Sequence, residues 1–165
     1  MKCKLAVFLM LILTFKTFAF ANGKAAGFKV GVENSFSEED LSDYDFRFTA
    51  GIDFKKETFP FLFALDFSFD KKGIQSFGLK TDYWIANPVF KNSALHYFYG
   101  PGFVLGAEKE KFLAMVCFSL GLNYFISYNT EWVFTAAAEG GGLFGLSSLE
   151  GIVKVPFSSG VRFYF

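Results

Sequence analysis

The charged residues of this chain are spaced in a regular pattern that suggests a chemical role. In residues 44–54, YDFRFTAGIDF, charged or small residues alternate with apolar ones, and this period of two predicts a β-strand with two unlike faces. Across all such stretches, twelve charges share one parity and the opposite parity carries none. The twelve are Lys29, Glu33, Asp45, Arg47, Asp53, Asp66, Lys80, Asp82, Glu131, Glu139, Lys154 and Arg162. An isolated buried charge is costly, so five cations and seven anions on one enclosed face predict a paired network.

Nucleophilic and metal-ligating residues are scarce in the same chain. Cys117 is the only cysteine after residue 21, so no intrachain disulfide is expected there. His96 is the only histidine, which leaves zinc without a ligand set, and its predicted partner is a lumen carboxylate. We therefore predict no catalytic residue, no metal site and no cofactor.

Eight alternating stretches follow residue 21, and turn-like segments separate them. These segments are SFSEEDLSD, KKET, DKKG, NPVFKN, AEKEK, SYNT and GGGLFGLSS. Residues 22–165 leave about eighteen residues for each strand with its connection, whereas a tilted strand needs ~9–11 residues to cross a bilayer. The spacing therefore predicts eight membrane-length strands with short connections.

The bulk of the apolar face predicts which side of the sheet points outward. The chain contains 26 phenylalanines, which are too bulky for the inside of a small barrel, whereas the Gly, Ala and Ser of the charged parity fit there. A sheet that crosses a bilayer must also close, because every backbone polar group needs a partner. We predict an all-β protein, an eight-stranded antiparallel up-and-down transmembrane β-barrel. The alternative is a soluble lipocalin-like barrel that binds a ligand among its aromatic rings.

The first residues predict export of the chain. MKCKLAVFLMLILTFKTFAFA begins with two lysines, continues with an apolar run and ends in small residues around a cleavage site. We interpret residues 1–21 as a signal peptide and residues 22–165 as one barrel domain. Together with the strand pattern, this predicts the bacterial outer membrane as the location.

The end of the chain, GVRFYF, resembles the assembly signal of bacterial outer-membrane barrels, with Val161, Phe163 and Phe165 as its apolar positions. The whole pattern, with the segments YGPGF and GLNY, resembles the small eight-stranded family of the OmpX and OmpA-transmembrane type. The resemblance implies outer-membrane lipid as the surroundings. It also implies the barrel-assembly machinery and periplasmic chaperones as partners during biogenesis.

The role predicted from these features is structural or surface-interacting, with polar side chains plugging the lumen. The acidic segment 34–43 and the glycine-rich segment 140–150 are the predicted surface loops for a partner. One alternative is a narrow pore for ions or small solutes. Another is a lipid A-modifying enzyme, since some small barrels use a histidine near a serine, as Ser93 is to His96. The balanced charge gives no reason to expect a nucleic acid.

Overall fold

The computed structural model describes residues 24–37, 44–56, 60–91, 93–146 and 148–165. The predicted signal peptide, residues 1–21, lies outside the described residues. Within the described ranges, no helix is long and apolar enough to cross a membrane.

The described chain forms nine strands that close into a barrel of eight. They are β1 Lys24–Ser37, β2 Tyr44–Lys56, β3 Phe61–Asp70, β4 Gly73–Tyr83, β5 Ile85–Pro88, β6 Leu95–Glu108, β7 Lys111–Ser127, β8 Thr130–Phe144 and β9 Leu149–Tyr164. Neighbours along the barrel pair antiparallel, and β9 returns to β1. Because β4 and β5 both pair with β6, they share one position in the barrel. The predicted eight-stranded antiparallel barrel is confirmed.

The break between β4 and β5 falls at Trp84. Its backbone N–H donates to the Pro60 carbonyl at 2.7 Å, which continues the register of β4 with β3, and pairing with β6 resumes at Ile85 opposite Tyr99. Gly100 of β6 lies opposite this break, and a Cβ there would collide with the Tyr83 carbonyl. A glycine is therefore needed for the two backbones to approach each other at this point.

The two faces of the wall carry the two residue classes that the parity predicts. The exposed side chains belong to the aromatic parity, for example Phe48 at 65 % and Phe157 at 49 % exposure. The charged parity is turned inward, where Arg47 and Arg162 are 2 % and 1 % exposed. The aromatic rings therefore do not fill a central pocket, and the lipocalin-like alternative is wrong.

The two ends of the barrel differ in their connections. One end, which we call the proximal rim, carries both ends of the described barrel, where the Phe165 N–H donates to the Lys24 carbonyl at 2.9 Å. The other end, the distal rim, carries the turns at 71–72 and 109–110, the end of β1 with the start of β2, and the end of β8 with the start of β9. Outward-facing Tyr97, Tyr124 and Trp132, which are 41–49 % exposed, lie near the proximal rim, as an interfacial aromatic girdle requires.

Two predicted distal loops are shorter than the sequence suggests. Residues 34–37 belong to β1, where 34–36 pair with β2 and Ser37 pairs with β9, and residues 38–43 lie outside the described part of the chain. Segment 140–150 is wrong as a loop, because Gly140–Phe144 continues β8 and pairs in register with Leu149–Val153 of β9. The glycine run therefore belongs to β8, where it is paired with β9. Only residues 145–148 connect the two strands.

Candidate functional site

The interior of the barrel is where the structure gathers the charged residues. Nine of the twelve predicted residues are buried: Glu33, Arg47, Asp53, Lys80, Asp82, Glu131, Glu139, Lys154 and Arg162. Lys29 and Asp66 form an ion pair at 2.7 Å and keep part of their surface open to the lumen cavity. Asp45 lies in β2, paired with Ser35, and its side chain is not among the described ones.

A distal cluster of four charges lies nearest the distal rim. Arg47 Nη1 lies 2.6 Å from Glu108 Oε1, and Lys154 Nζ lies 2.8 Å from Glu108 Oε2. Glu33 Oε1 lies 3.1 Å from Lys154 Nζ and 3.9 Å from Arg47 Nη1. Two cations and two anions thus alternate around one square, so their charges cancel and each group has an opposite charge on two sides.

Glu108 is the member of this cluster that the sequence analysis missed. The segment AEKEK is predicted as a turn, yet β6 extends to Glu108 and only Lys109 and Glu110 form the turn. The signal was present, because Glu108 has the same parity as His96 and Val104, which belong to the inward set. Extending the alternation by two residues would have placed a carboxylate in the lumen.

A central cluster lies at mid-height. Lys80 Nζ lies 2.8 Å from Glu139 Oε1 and 3.8 Å from Asp82 Oδ2. The Asp82 carboxylate also accepts hydrogen bonds from Ser119 Oγ at 3.0 Å and from Cys117 Sγ at 3.2 Å. Cys117 is therefore a buried donor to a structural carboxylate, and its thiol is already engaged.

A proximal cluster centres on Arg162. Its Nε donates to Asp53 Oδ2 at 2.9 Å, and its Nη1 donates to Glu131 Oε1 at 2.6 Å. Asn123 Nδ2 donates to the second oxygen of Glu131 at 2.9 Å, and Glu131 is fully buried. A guanidinium suits this place because its fixed fork of donors can bind two carboxylates at once.

An aromatic pair lies against the proximal cluster. The rings of Trp84 and Phe98 stack with centroids 3.6 Å apart and an interplanar angle of 12°. The Arg162 Cζ lies 4.5 Å from the Trp84 ring centroid, a distance typical of a cation–π contact. Buried Leu62 and Val133 complete this apolar group. Trp84 shares the inward parity of Lys80 and Asp82, and this alternation places its large ring in the lumen.

A cavity lies among these groups. The lumen cavity has a volume of about 60 Å³ and is lined by members of all three clusters. A second apolar group in the lumen comprises Val104, Leu113, Met115, Cys117, Leu143 and Ile152. Small-molecule pockets usually measure about 300–1,000 Å³. The cavity therefore has room for a few water molecules and not for an organic solute.

The predicted histidine contact is absent. The His96 ring meets Phe125 edge-on, with centroids 5.1 Å apart. No hydrogen bond to a lumen carboxylate is found for His96 among the described residues, so the predicted partner is wrong. Ser93 Oγ accepts a hydrogen bond from the Leu95 N–H at 3.0 Å and thereby shapes the turn before β6. Within the described ranges, no group of three His, Cys, Asp or Glu side chains could hold a metal ion.

The barrel can be compared with known proteins. No family model matches the chain. No curated protein matches it either. Among solved structures, the Neisserial surface protein NspA superposes with a TM-score of 0.62 at 13 % identity, over 87 % of this chain and 98 % of NspA. This chain has the fold of the small eight-stranded outer-membrane barrels.

Two further barrels superpose less well. The N-terminal β-barrel domain of Pseudomonas aeruginosa OprF gives a TM-score of 0.43 at 12 % identity, covering 84 % of this chain and 98 % of that domain. The attachment invasion locus protein Ail of Yersinia pestis gives 0.40 at 14 % identity, covering 87 % and 100 %. The likeness in fold therefore rests on NspA.

Proposed function

We propose that this protein is a non-enzymatic barrel of the bacterial outer membrane whose lumen does not conduct. It would serve a structural or surface-interacting role through its distal rim. The observation that carries the proposal is the filling of the lumen, where ionic and apolar side chains leave a cavity of only about 60 Å³.

The nature of the filling supports a closed lumen. Conduction needs a continuous wet path, and an eight-stranded barrel is just wide enough for its own side chains. Here the Trp84–Phe98 stack occupies the lumen toward the proximal rim, and the buried distal cluster occupies it toward the other. Each charge of the distal, central and proximal clusters has a neighbour of opposite sign, which favours ion pairing within the lumen over binding of a passing ion.

Membrane location is supported by the outer face of the wall. Its large exposed side chains are apolar along the full length of the strands, as in β7 from Phe112 to Ile126. A face of this kind needs hydrocarbon around it. The predicted signal peptide and the fold shared with NspA, a surface protein by name, agree with the outer membrane.

Apolar side chains at the distal rim support a surface role. Phe144 is 46 % exposed, Leu149 is 69 % exposed, and Leu146 in the connection between β8 and β9 is completely exposed. Exposed apolar groups beside a short connection are typical of interaction sites. With the chain entering from the periplasm, this rim faces the cell exterior.

Planar-bilayer recording of the purified, refolded protein tests the closed lumen. We expect no steady single-channel steps from the wild-type barrel. The double variant Trp84→Ala, Phe98→Ala removes the stacked pair, so it should conduct if the proximal end is what seals the lumen. A variant of the lipid-facing Phe118→Ala controls for general loosening and should stay silent. Steady steps from the wild type would contradict the proposal and favour the pore.

A further inference from the structure

Two neighbouring turns bring three lysines together at the distal rim. Lys71 and Lys72 form the turn between β3 and β4, and Lys109 opens the turn between β6 and β7. The Lys109 N–H donates to the Gln75 carbonyl at 3.2 Å, which fixes the two turns side by side. All three side chains are exposed, and none has an ion-pair partner among the described residues. We call these three residues the lysine patch.

The turn that holds Lys109 is an unfavourable place for its residue type. Lys109 and Glu110 adopt φ angles of 47° and 66°, in the left-handed region that favours glycine and asparagine. Two-residue hairpin turns of this kind usually carry Asn-Gly or Asp-Gly for that reason. Residues held in such sparsely populated backbone regions cluster at functional sites.

Among the described residues, the acids of these two turns only partly balance the lysine patch. The Asp70 carboxylate accepts hydrogen bonds from the Lys72 N–H at 2.5 Å and from Gln75 Nε2 at 2.9 Å, so it stabilises its own turn. Lys111 forms an ion pair with Glu150. Glu110 is the remaining acid of the two turns, so they keep a net positive charge.

An apolar row lies directly below the lysine patch on the outer face. Strand pairing aligns Phe67 with Phe77, Phe77 with Ala107, and Ala107 with Phe112. Ile74, two residues beyond Lys72, adds a side chain that is 64 % exposed. Cationic groups immediately above an apolar wall match the two halves of an anionic lipid.

We propose that the lysine patch binds the phosphate-bearing head groups of outer-leaflet lipids, with the acyl chains against the apolar row. This inference rests on the proposed function, because it requires the distal rim to be at the outer leaflet. Lysine ammonium groups bind phosphate as point charges. A lipid is favoured over a soluble polyanion because the apolar row begins within two or three residues of the lysines.

The opposite rim supplies a matched control. Lys24, Lys56 and Lys91 are also exposed but lie at the proximal rim, where Lys24 and Lys56 are cross-strand partners and Lys91 lies between β5 and β6. We compare the variants Lys71→Gln, Lys72→Gln, Lys109→Gln and Lys24→Gln, Lys56→Gln, Lys91→Gln, which remove the same charge. Both variants are first checked for the folded, heat-modifiable form.

The measurement is retention of a phosphorylated glycolipid by the full chain in mixed micelles, followed by native mass spectrometry. Each surface lysine contributes roughly fivefold to binding an anionic membrane lipid, so the distal variant should bind about 100-fold more weakly. The proximal variant should bind like the wild type, and a zwitterionic phospholipid should not distinguish the proteins. Equal loss in both variants, or no loss in the distal one, would overturn the proposal.

Two further measurements distinguish a soluble-anion site from a lipid site, and failure of the lipid site from failure of the closed lumen. Competition by inorganic phosphate or a sulfated polysaccharide at equal charge concentration would show a soluble-anion site and overturn the assignment to lipid. Conductance of the same preparations is recorded in parallel. A conducting wild type that still retains the glycolipid through the lysine patch refutes the closed lumen alone, whereas a silent barrel without glycolipid preference refutes only the lipid site.

Discussion

At the scale of single residues, stability inside the barrel depends on Arg162. Its guanidinium is 1 % exposed and binds two buried carboxylates, those of Asp53 and Glu131. Arg162→Met would leave both carboxylates without their cation in a site from which water is largely excluded. We expect a loss of roughly 3–5 kcal/mol in the free energy of unfolding. Urea titration of the detergent-refolded barrel measures it.

The rim ion pair between Lys111 and Glu150 is the control for this substitution. Both side chains are partly exposed, at 28 % and 31 %, so solvent screens their attraction. Lys111→Met should cost less than about 1 kcal/mol. If Arg162→Met and Lys111→Met unfold at the same urea concentration, the proximal cluster does not hold the barrel together as described.

At the scale of the strand, the height of an outward side chain in the bilayer should set the free-energy cost of replacing it with a charged one. Leu65 is in the middle of β3 and is 37 % exposed on the outer face, whereas Ile74 is at the distal start of β4. Leu65→Lys should cost roughly 2–4 kcal/mol in a bilayer, because a charge at the midplane loses its hydration. Ile74→Lys should cost only about 0–1 kcal/mol.

Unfolding of both variants in lipid vesicles, against the wild type, measures the two costs. The decisive result is which substitution lowers the free energy of unfolding more, since this depends on the height of each residue in the bilayer. Equal costs at the two positions would mean that the outer face does not contact hydrocarbon at the height of Leu65.

At the scale of the whole molecule, closure joins the last strand to the first. β9 pairs with β1 from Ala25 opposite Tyr164 to Ser37 opposite Ile152, so the barrel cannot close before the end of the chain is made. Phe163 and Phe165 are 44 % and 52 % exposed on the outer face. Their side chains are thus accessible to a partner that binds the last strand. The resemblance to the assembly signal of outer-membrane barrels implies such a partner.

Phe165→Ala tests this interpretation. We expect less folded protein in the outer membrane of cells, because the barrel-assembly machinery would lose a contact. Refolding of the purified variant in detergent should be nearly unchanged, since the ring adds little to the barrel interior. The folded fraction is read from heat-modifiable migration on a gel. A variant that is equally impaired in cells and in detergent would indicate a structural role for the ring instead.

Local patterns account for most of what could be predicted from the sequence. Parity assigned Lys80, Glu139 and Arg162 to the same face as Gly and Ser, because successive side chains of a strand point to opposite faces. Turn assignments were weaker. AEKEK and GGGLFGLSS contain turn-forming residue types, yet most of their residues complete ladders with β7 and β9, since a paired backbone outweighs local preference.

Residue order alone therefore determined an eight-stranded wall with rings on one face and charges on the other. The tertiary structure decided which charges meet. Arg47 in β2 and Glu108 in β6 are 61 positions apart on strands that do not pair, so they meet across the lumen. Glu33 and Lys154 are 121 positions apart and meet because β9 pairs with β1. The pairing of β6 with β4 and β5 placed Trp84 on Phe98 and Lys109 beside the Lys71–Lys72 turn. Alternation with a period of two in the sequence shows which face of the sheet a residue lies on. The strand register of the closed barrel decides which residues of other strands it contacts.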